Sequence, residues 1–368
     1  MTVRKTTINL EYNETDVTKN ISPYLLNFSY TDNSSGQADD IQLQLEDRNH
    51  LWESDWLPEK GDAIIASIVA ENAGQTTELP CGLFDVDEVT IAGPPSTITI
   101  KGVSAAMATA LRGEQNTKAW ENIKLKAIAA ELAKKAEMEM EYLAKYNPAY
   151  KRRDQTDQSD LAFLLDLCDK AGLELKITDD TIVIFDEEEM ETNPSVGTYE
   201  RGVSNILSYS FDSKSRDIYR ACVIQYKDPQ TSQMFKYVYE PPNAPDTGQL
   251  LKINERVDSA EEGKVLARKR LREKNLKENM ARMTFVGGTQ LVAGVNIDIK
   301  GFGSFDGKYY ITQAQHNYSS SGYAVDVEMH KTLGSYYINM VASSVKSTKK
   351  ARTKKARKKK GRKKRGTK

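Results

Sequence analysis

The residues best suited to chemistry are few in this sequence of 368 residues. It contains three histidines, His50, His316 and His330, and three cysteines, Cys81, Cys168 and Cys222. No histidine lies at a recognised motif spacing from a nucleophile, and the cysteines are too far apart for a metal-binding motif. Cys168 falls on the apolar stripe of a predicted helix, which favours a buried, inert thiol. The sequence therefore predicts no catalytic residue, no metal site, no cofactor and no enzymatic activity.

Two other segments have the composition of binding motifs. Gly301–Gly307 reads GFGSFDG, like a phosphate-binding loop, but strand patterns flank it and no helix follows, so we expect a turn between strands. Asp186–Glu191 reads DEEEME, with five carboxylates in six residues. A metal site needs ligands that converge from several directions, whereas a linear run of acids is usually solvated. We expect this run to be a solvated linker between domains.

The net charge of zero conceals a basic C-terminal tail, residues 346–368. The tail holds 15 of the 52 basic residues and no acidic residue, which leaves 37 basic against 52 acidic residues in positions 1–345. It lacks aromatic residues for base stacking and apolar residues other than alanine for a membrane-binding helix. Such a composition cannot form a core, which predicts disorder.

Two interpretations of this tail remain open: a solubilising terminus, or electrostatic attachment to a polyanion or an acidic protein surface. In the second case, the binding residues are Lys349, Lys350, Arg352, Lys354, Lys355, Arg357, Lys358, Lys359, Lys360, Arg362, Lys363, Lys364 and Arg365.

The first hundred residues have the alternation of β-strands with one buried face. Thr7–Tyr12, Leu26–Tyr30 and Ile41–Asp47 alternate at period two, and residues 63–70, 82–92 and 96–103 are further candidates. Clusters of Gly, Pro, Asn and Ser separate them. About six short strands at this spacing predict an antiparallel barrel or sandwich over residues 1–108.

The middle of the chain, residues 109–198, predicts a small α/β domain. Apolar residues from Trp120 to Met138 fall at helical spacing. A second helix should begin after Ser159, a good N-cap, and end at Gly172. Two short strands, residues 173–177 and 181–185, should follow it.

Strand patterns return in residues 199–345, with one helix among them. The candidates are residues 206–211, 218–226, 234–239, 282–286, 294–299, 309–315 and 323–329. Ser259 and Glu262 have the spacing of a capping box, which predicts a helix start there. The predicted fold is mainly β with α+β: two tube-like barrels, 1–108 and 199–345, an α/β insert, 109–198, and a disordered tail, 346–368.

Two stretches resemble a known family. Asp157–Leu167 with Gly172–Lys176, and the helix Ala260–Lys274 with the later glycine-marked strands, are similar to the late control D family of baseplate hub proteins. That family belongs to contractile phage tails and phage-tail-like particles. The resemblance implies two tube-like barrels with an insert. It also implies a homotrimer whose six barrels match a hexameric tail tube, with a spike on the opposite side.

The resemblance implies a structural role, with the tail tube protein, the spike protein and other baseplate components as partners, and the tape-measure protein as a further candidate. We expect the protein in a virion or phage-tail-like particle, after synthesis in the bacterial cytoplasm. Its first 13 residues lack the apolar region of a signal peptide, and no run is long enough for a membrane span. The alternatives are a tail-tip cell-wall hydrolase, which would need a fused catalytic domain, and a protein that binds nucleic acid through the tail alone.

Overall fold

The computed structural model describes residues 4–54, 56–72, 74–104, 111, 114–178, 180–227, 234–242, 244, 248–255, 257 and 259–334. All of them belong to the unit Met1–Tyr336. The predicted class, mainly β with an α/β insert, is confirmed. None of the helices in the described ranges is long and apolar enough to cross a membrane.

The alternation of the first hundred residues is confirmed as strands. The elements are β1 (Arg4–Tyr12), β2 (Thr15–Asp16), α1 (Thr18–Ile21), β3 (Leu25–Asn33), β4 (Asp40–Glu46), β5 (Ala63–Asn72), β6 (Gln75–Ala92) and β7 (Thr97–Ser104). Six of the strands pair in the order β3-β4-β7-β6-β5-β1, with the short β2 beside β1. We call these six strands the first sheet unit.

The insert combines two small sheets with three helices. Its elements are β8 (Gln115–Lys124), α2 (Leu125–Lys135), β9 (Glu139–Tyr142), β10 (Ala149–Ser159), α3 (Asp160–Ala171), β11 (Glu174–Thr178), β12 (Thr181–Phe185) and α4 (Glu187–Met190). The α3 prediction is confirmed at both ends: Ser159 accepts a hydrogen bond from the backbone N–H of Ala162, and Gly172 is left-handed with φ of 70°.

The prediction of one helix from Trp120 to Met138 is wrong in its first part. Residues 115–124 form β8, which pairs with β10, and α2 begins only at Leu125. Trp120 is buried as a strand residue and stacks on Phe163 at 6.3 Å between ring centroids. The apolar spacing was ambiguous because residues 120, 123 and 128 also fit a helical period.

The last third contains a second set of strands and the long helix. The elements are β13 (Ser195–Glu200), β14 (Ile206–Ser213), β15 (Ala221–Lys227), β16 (Met234–Tyr239), β17 (Leu250–Ile253), α5 (Ala260–Asn275), β18 (Asn279–Val286), β19 (Asn296–Lys300), β20 (Gly307–Ser319) and β21 (Gly322–Lys331). Ser259 caps α5 by accepting from the N–H of Glu262, as predicted. Gly301–Gly307 connects the antiparallel strands β19 and β20, which confirms the predicted turn.

Six of these strands repeat the order of the first sheet unit. They pair as β14-β18-β21-β20-β19-β13, and we call them the second sheet unit. In chain order, β13, β14, β18, β19, β20 and β21 take the places of β1, β3, β4, β5, β6 and β7. One orientation differs: β1 is antiparallel to β5, whereas β13 is parallel to β19.

The two sheet units form one continuous sheet. β3 pairs antiparallel with the C-terminal half of β20, so that the described pairing runs through 13 strands. Apolar residues of both units share one core, which includes Phe28, Ile68, Phe285 and Val325. The insert has its own core, and β15–β17 pack with α5 around a third.

Candidate assembly site

The three histidines have different environments, and two of them are buried. His50 is exposed, with its Nδ1 atom 3.2 Å from Glu53. His316 is fully buried in the sheet, with Nδ1 2.6 Å from the Tyr323 hydroxyl, and burial lowers its pKa to about 4. His330 is buried beside Glu191. His316 is thus a neutral core residue at physiological pH, in line with the predicted structural role.

The thiol of Cys168 is also a core group. It is 1% exposed on the inner side of α3, and burial raises its pKa to about 12. A thiol with such a pKa is almost wholly protonated near neutral pH, so it is a poor nucleophile and metal ligand. The predicted burial is confirmed, and the raised pKa supports the predicted inert role.

The acidic run Asp186–Glu191 is not the solvated linker that we predicted. Asp186, Glu188 and Glu191 are 3%, 4% and 6% exposed. Asp186 caps the short helix α4, accepting a hydrogen bond from the N–H of Glu188. The run is buried because cationic residues distant in sequence pack over it.

Two arginines on α5 supply those charges. Arg268 Nη2 lies 3.1 Å from Asp186 Oδ2, and Arg272 Nη2 lies 3.3 Å from Glu187 Oε1 and forms a short ion pair with Glu191. The arginines are four residues apart, so they lie on the same face of the helix. The sequence signal is this i,i+4 arginine pair, with each arginine directly after a buried apolar residue, Ala267 or Leu271. It does not identify the acidic partners, which lie about 80 positions earlier.

His330 completes this group, which we call the ionic cluster: Asp186, Glu187, Glu188, Glu191, Arg268, Arg272 and His330. Its Nε2 atom is 2.8 Å from Glu191 Oε1. Burial alone would raise the pKa of Glu191, but the hydrogen bond with His330 and the charge of Arg272 outweigh burial and lower it. The cluster ties α4, α5 and β21 together.

The cluster also contains a set of possible metal ligands. Ligand atoms of Glu187, Glu191 and His330 lie within 4.8 Å of one another. Arg272 is already paired with both carboxylates. Its guanidinium therefore supplies the positive charge that a metal ion would bring, and the arrangement is that of a structural ion-pair network.

A second ionic contact joins the insert to the first sheet unit. Lys176 on β11 pairs with Asp32 and lies 3.3 Å from Asp39, while Asp32 Oδ2 accepts from the backbone N–H of Ala293 at 2.8 Å. Burial raises the pKa of Asp39 to about 6, against the lowering effect of Lys176. The insert is thus held by buried charges on both sheet units.

Two strand segments present exposed apolar residues at sheet edges. β14 has β18 as its single described neighbour, and Leu207 and Tyr209 on it are 61% and 44% exposed. On β6, pairing with β5 ends at Asp85, and Ile91 beyond it is 43% exposed. Unpaired strand edges with apolar side chains are typical contact surfaces for another strand.

The predicted basic residues of the tail, Lys349 to Arg365, lie outside the described residues.

Comparison with known proteins identifies the family. The family model described as phage tail baseplate hub (GPD) matches residues 98–322. The chain belongs to this family. The matched range includes the α3 segment and α5, which contain the family resemblance seen in the sequence.

Two curated relatives are also described as baseplate hub proteins. The probable baseplate hub proteins of Escherichia phage 186 and Escherichia phage P2 are 25% identical over 173 residues and 30% identical over 171 residues. These alignments cover 46% and 44% of this chain, and 42% and 40% of the two hub proteins. The matched part therefore spans less than half the length of these curated relatives.

Solved structures share the fold of this chain over most of its length. A tail protein from Neisseria meningitidis MC58 has a TM-score of 0.67 at 14% identity, covering 89% of this chain and 96% of that one. The 43 kDa tail protein of prophage MuSo2 from Shewanella oneidensis has a TM-score of 0.63 at 14% identity, covering 89% and 97%. A type VI secretion component of E. coli has a TM-score of 0.53 at 13% identity, covering 90% and 78%.

Proposed function

We propose that this protein is the structural hub of a baseplate in a contractile phage tail or phage-tail-like particle, where it joins the tail tube to the central spike. The observation that carries the proposal is the match of the baseplate hub family over residues 98–322. The fold shared with solved tail proteins over 89% of the chain supports it. The role is mechanical attachment, and its partners are the tube protein, the spike protein and neighbouring baseplate components.

We further propose a homotrimer and the three predicted domains, 1–108, 109–198 and 199–345, with the second boundary moved to just before Ser195 because β13 belongs to the second sheet unit. The repeated strand order supports two related sheet units in each copy. Three copies would then present six similar units, which suits a hexameric tube.

We also propose that the basic C-terminal segment, residues 346–368, binds a partner by electrostatic attraction. Because it holds 15 basic residues, the first candidate partner is an acidic surface on another component of the phage tail, such as the tape-measure protein. Nucleic acid is the second choice, reached through the tail alone.

Imaging of purified particles tests the hub assignment. Particles made with the gene should show three copies of this fold around the tail axis, between tube and spike, and particles made without it should lack an attached spike. One copy or six copies around the axis would contradict the trimer. Normal particles without this protein would contradict the hub assignment itself.

A further inference from the structure

A cavity of about 330 Å³, which we call the end cavity, opens at one end of the first sheet unit. Its floor consists of the core residues Leu10, Leu43, Ile64 and Ile100, all of which are buried. Its wall is formed by the end of β1, by α1 and by the loop between β4 and β5, residues 47–62. A concave and mainly apolar space of this size can take a buried group of a ligand or a partner.

The end cavity lies at the opposite end of the strands from the insert. β4 begins at Asp40, next to Asp39, which contacts Lys176 of the insert, and it ends seven residues later at Glu46, where the loop begins. Seven extended residues span about 23 Å. None of the described residues of the insert lines the cavity, so the insert leaves this end of the sheet unit free.

Two large apolar side chains are exposed at the mouth of the cavity. Trp56 and Leu57 are 41% and 45% exposed. Trp56 is held by edge-on contacts with Trp52 and Tyr24, at 5.4 Å and 6.1 Å between ring centroids, and its backbone N–H donates to the carbonyl of Leu51 at 3.0 Å. A tryptophan that is fixed in place but still open to water is typical of the centre of a contact surface.

The second sheet unit closes the equivalent position with its own residues. The loop between β18 and β19, residues 287–295, takes the place of residues 47–62. Its Leu291 is fully buried in the shared core, and Gln290 donates a hydrogen bond from Nε2 to the Tyr199 hydroxyl at 3.2 Å. The open end is therefore a property of the longer loop in the first unit and does not follow from the strand arrangement.

The mouth of the end cavity is acidic. Residues 10–21 and 56–64, which contribute most of its lining, hold five acidic residues and two lysines. Glu11 lines the cavity, and Asp62 accepts a short hydrogen bond from the hydroxyl of Tyr12, another lining residue. An acidic rim around an apolar space favours a partner group that is apolar itself and has positive charges beside it.

We propose that the end cavity binds one aromatic or large aliphatic side chain of a neighbouring tail protein, from a segment in which lysine or arginine residues flank that side chain. The side chain enters between α1 and the pair Trp56 and Leu57, and the flanking cations lie near Glu11 and Asp62. That the partner is a tail protein rests on the proposed function. The chemistry of the segment rests on the cavity and its rim.

Titration of the full chain with a synthetic peptide tests this chemistry. The probe is the heptapeptide Lys-Lys-Gly-Phe-Gly-Lys-Lys, and the readout is tryptophan fluorescence, because burial of Trp56 should shift its emission to shorter wavelength. Replacement of the phenylalanine by alanine should weaken binding at least about tenfold. Replacement of the lysines by glutamates should also weaken binding, and so should added salt. Equal binding of the three peptides overturns the proposal.

Leu57→Lys is the test variant, and Ile65→Lys is its matched control. The two side chains are 45% and 44% exposed, so both variants should fold. Ile65 is next to the lining residue Ile64, but successive side chains of a strand point to opposite faces. Leu57→Lys should weaken peptide binding at least about tenfold, because it adds a positive charge at the mouth, whereas Ile65→Lys should leave binding unchanged. Equal effects of the two variants overturn the proposal.

Photo-crosslinking in purified particles identifies the partner. A photoreactive phenylalanine replaces Leu57, and in the control it replaces Ile65. Mass spectrometry of the products from position 57 should find a segment of another tail protein with lysine or arginine beside an aromatic or aliphatic residue. Adducts confined to this chain, including its own basic tail, overturn the proposal, as do adducts of the same segment at both positions.

The result is separable from the hub assignment. If neither the peptide nor a cross-link is found while particles still contain three copies between tube and spike, only the end-cavity proposal is wrong. If the peptide binds as expected but the protein is absent from particles, the hub function is wrong and the end cavity still binds this chemistry.

Discussion

At the scale of single residues, His316 marks the joint between the two sheet units. Its ring lies between Tyr30 and Tyr323, with centroids 5.8 Å and 6.0 Å away. A neutral imidazole fits this apolar stack and bonds to the Tyr323 hydroxyl. Protonation would place an unpaired charge in the shared core, which is why burial lowers the pKa to about 4.

The pKa of His316 predicts a loss of stability in acid. Between about pH 6.5 and pH 4, the unfolded chain binds a proton at this residue that the folded chain does not. The free energy of unfolding should therefore fall as the pH falls, by up to about 1.4 kcal/mol per pH unit from this group. Denaturant titrations of wild type and His316→Gln should show a flatter pH dependence in the variant.

Protonation of Asp39 should change the free energy of unfolding in the opposite direction, which provides a control. Its pKa is raised to about 6 in the folded chain, so between about pH 6 and pH 4 the folded chain binds the additional proton and is stabilised as the pH falls. Asp39→Asn should steepen the acid loss, whereas His316→Gln should reduce it. Equal slopes in wild type and His316→Gln would contradict the assignment to His316.

At the scale of elements, α5 connects the insert to the second sheet unit through the ionic cluster. Burial alone would lower the pKa of Arg272, but Glu191 and Glu187 outweigh it and raise the pKa. The charges of Arg272 and Glu191 are therefore both retained in the interior. Removal of one partner leaves the others uncompensated, which costs more than the pair itself contributes.

Arg272→Met should accordingly lower the free energy of unfolding by about 3–5 kcal/mol, measured by denaturant titration. The matched control is Lys264→Met on the same helix. Lys264 is half-buried, and its pairing with Glu261 at 3.4 Å should contribute less than about 1 kcal/mol. A similarly small loss of unfolding free energy in both variants would show that the ionic cluster does not stabilise the fold.

Local signals in the sequence were sufficient for much of the fold. The caps at Ser159 and Ser259 predicted the starts of α3 and α5 correctly, because a cap and its helix are neighbours in sequence. Alternation located most strands of both sheet units within a few residues, but it missed β13 and the first seven residues of β6. The α2 prediction failed in part because Trp120 and Ile123 fit a strand as well as a helix.

The ionic cluster and the β3–β20 pairing between the sheet units could not be predicted from local signals. Burial of Glu191 depends on Arg272 and His330, which are 81 and 139 residues away. Likewise, the pairing of β3 with β20 leaves no pattern in either strand alone. Which strand edges meet is decided by the packing of the whole chain, and a carboxylate run has the same local pattern whether it is buried or solvated.

At the scale of the whole molecule, the charge division predicts a separable tail. A chain ending at Val345 should keep the thermal stability of the full chain, because the described cores contain no residue beyond Leu333. It should lose salt-dependent binding to a double-stranded DNA fragment used as an anionic probe. If the tail makes 6–10 phosphate contacts, binding by the full chain should weaken about 10³- to 10⁵-fold between 50 and 200 mM salt.

A tail with the same composition in shuffled order separates charge from sequence. Binding equal to wild type supports a purely electrostatic contact. If particles built with the shortened chain assemble and act normally, the solubilising interpretation of the tail is correct.

The β3–β20 pairing also has a consequence for synthesis of the chain. Asn33 and its partner Gln313 are 280 residues apart. At about 5–20 residues per second, the outer edge of β3 waits roughly 15–60 s for its partner to leave the ribosome. During that time the nascent first sheet unit has an open edge, available to neighbouring nascent chains on the same messenger. Rapid translation of the second half, or a chaperone on that edge, would therefore govern the yield of correctly folded protein.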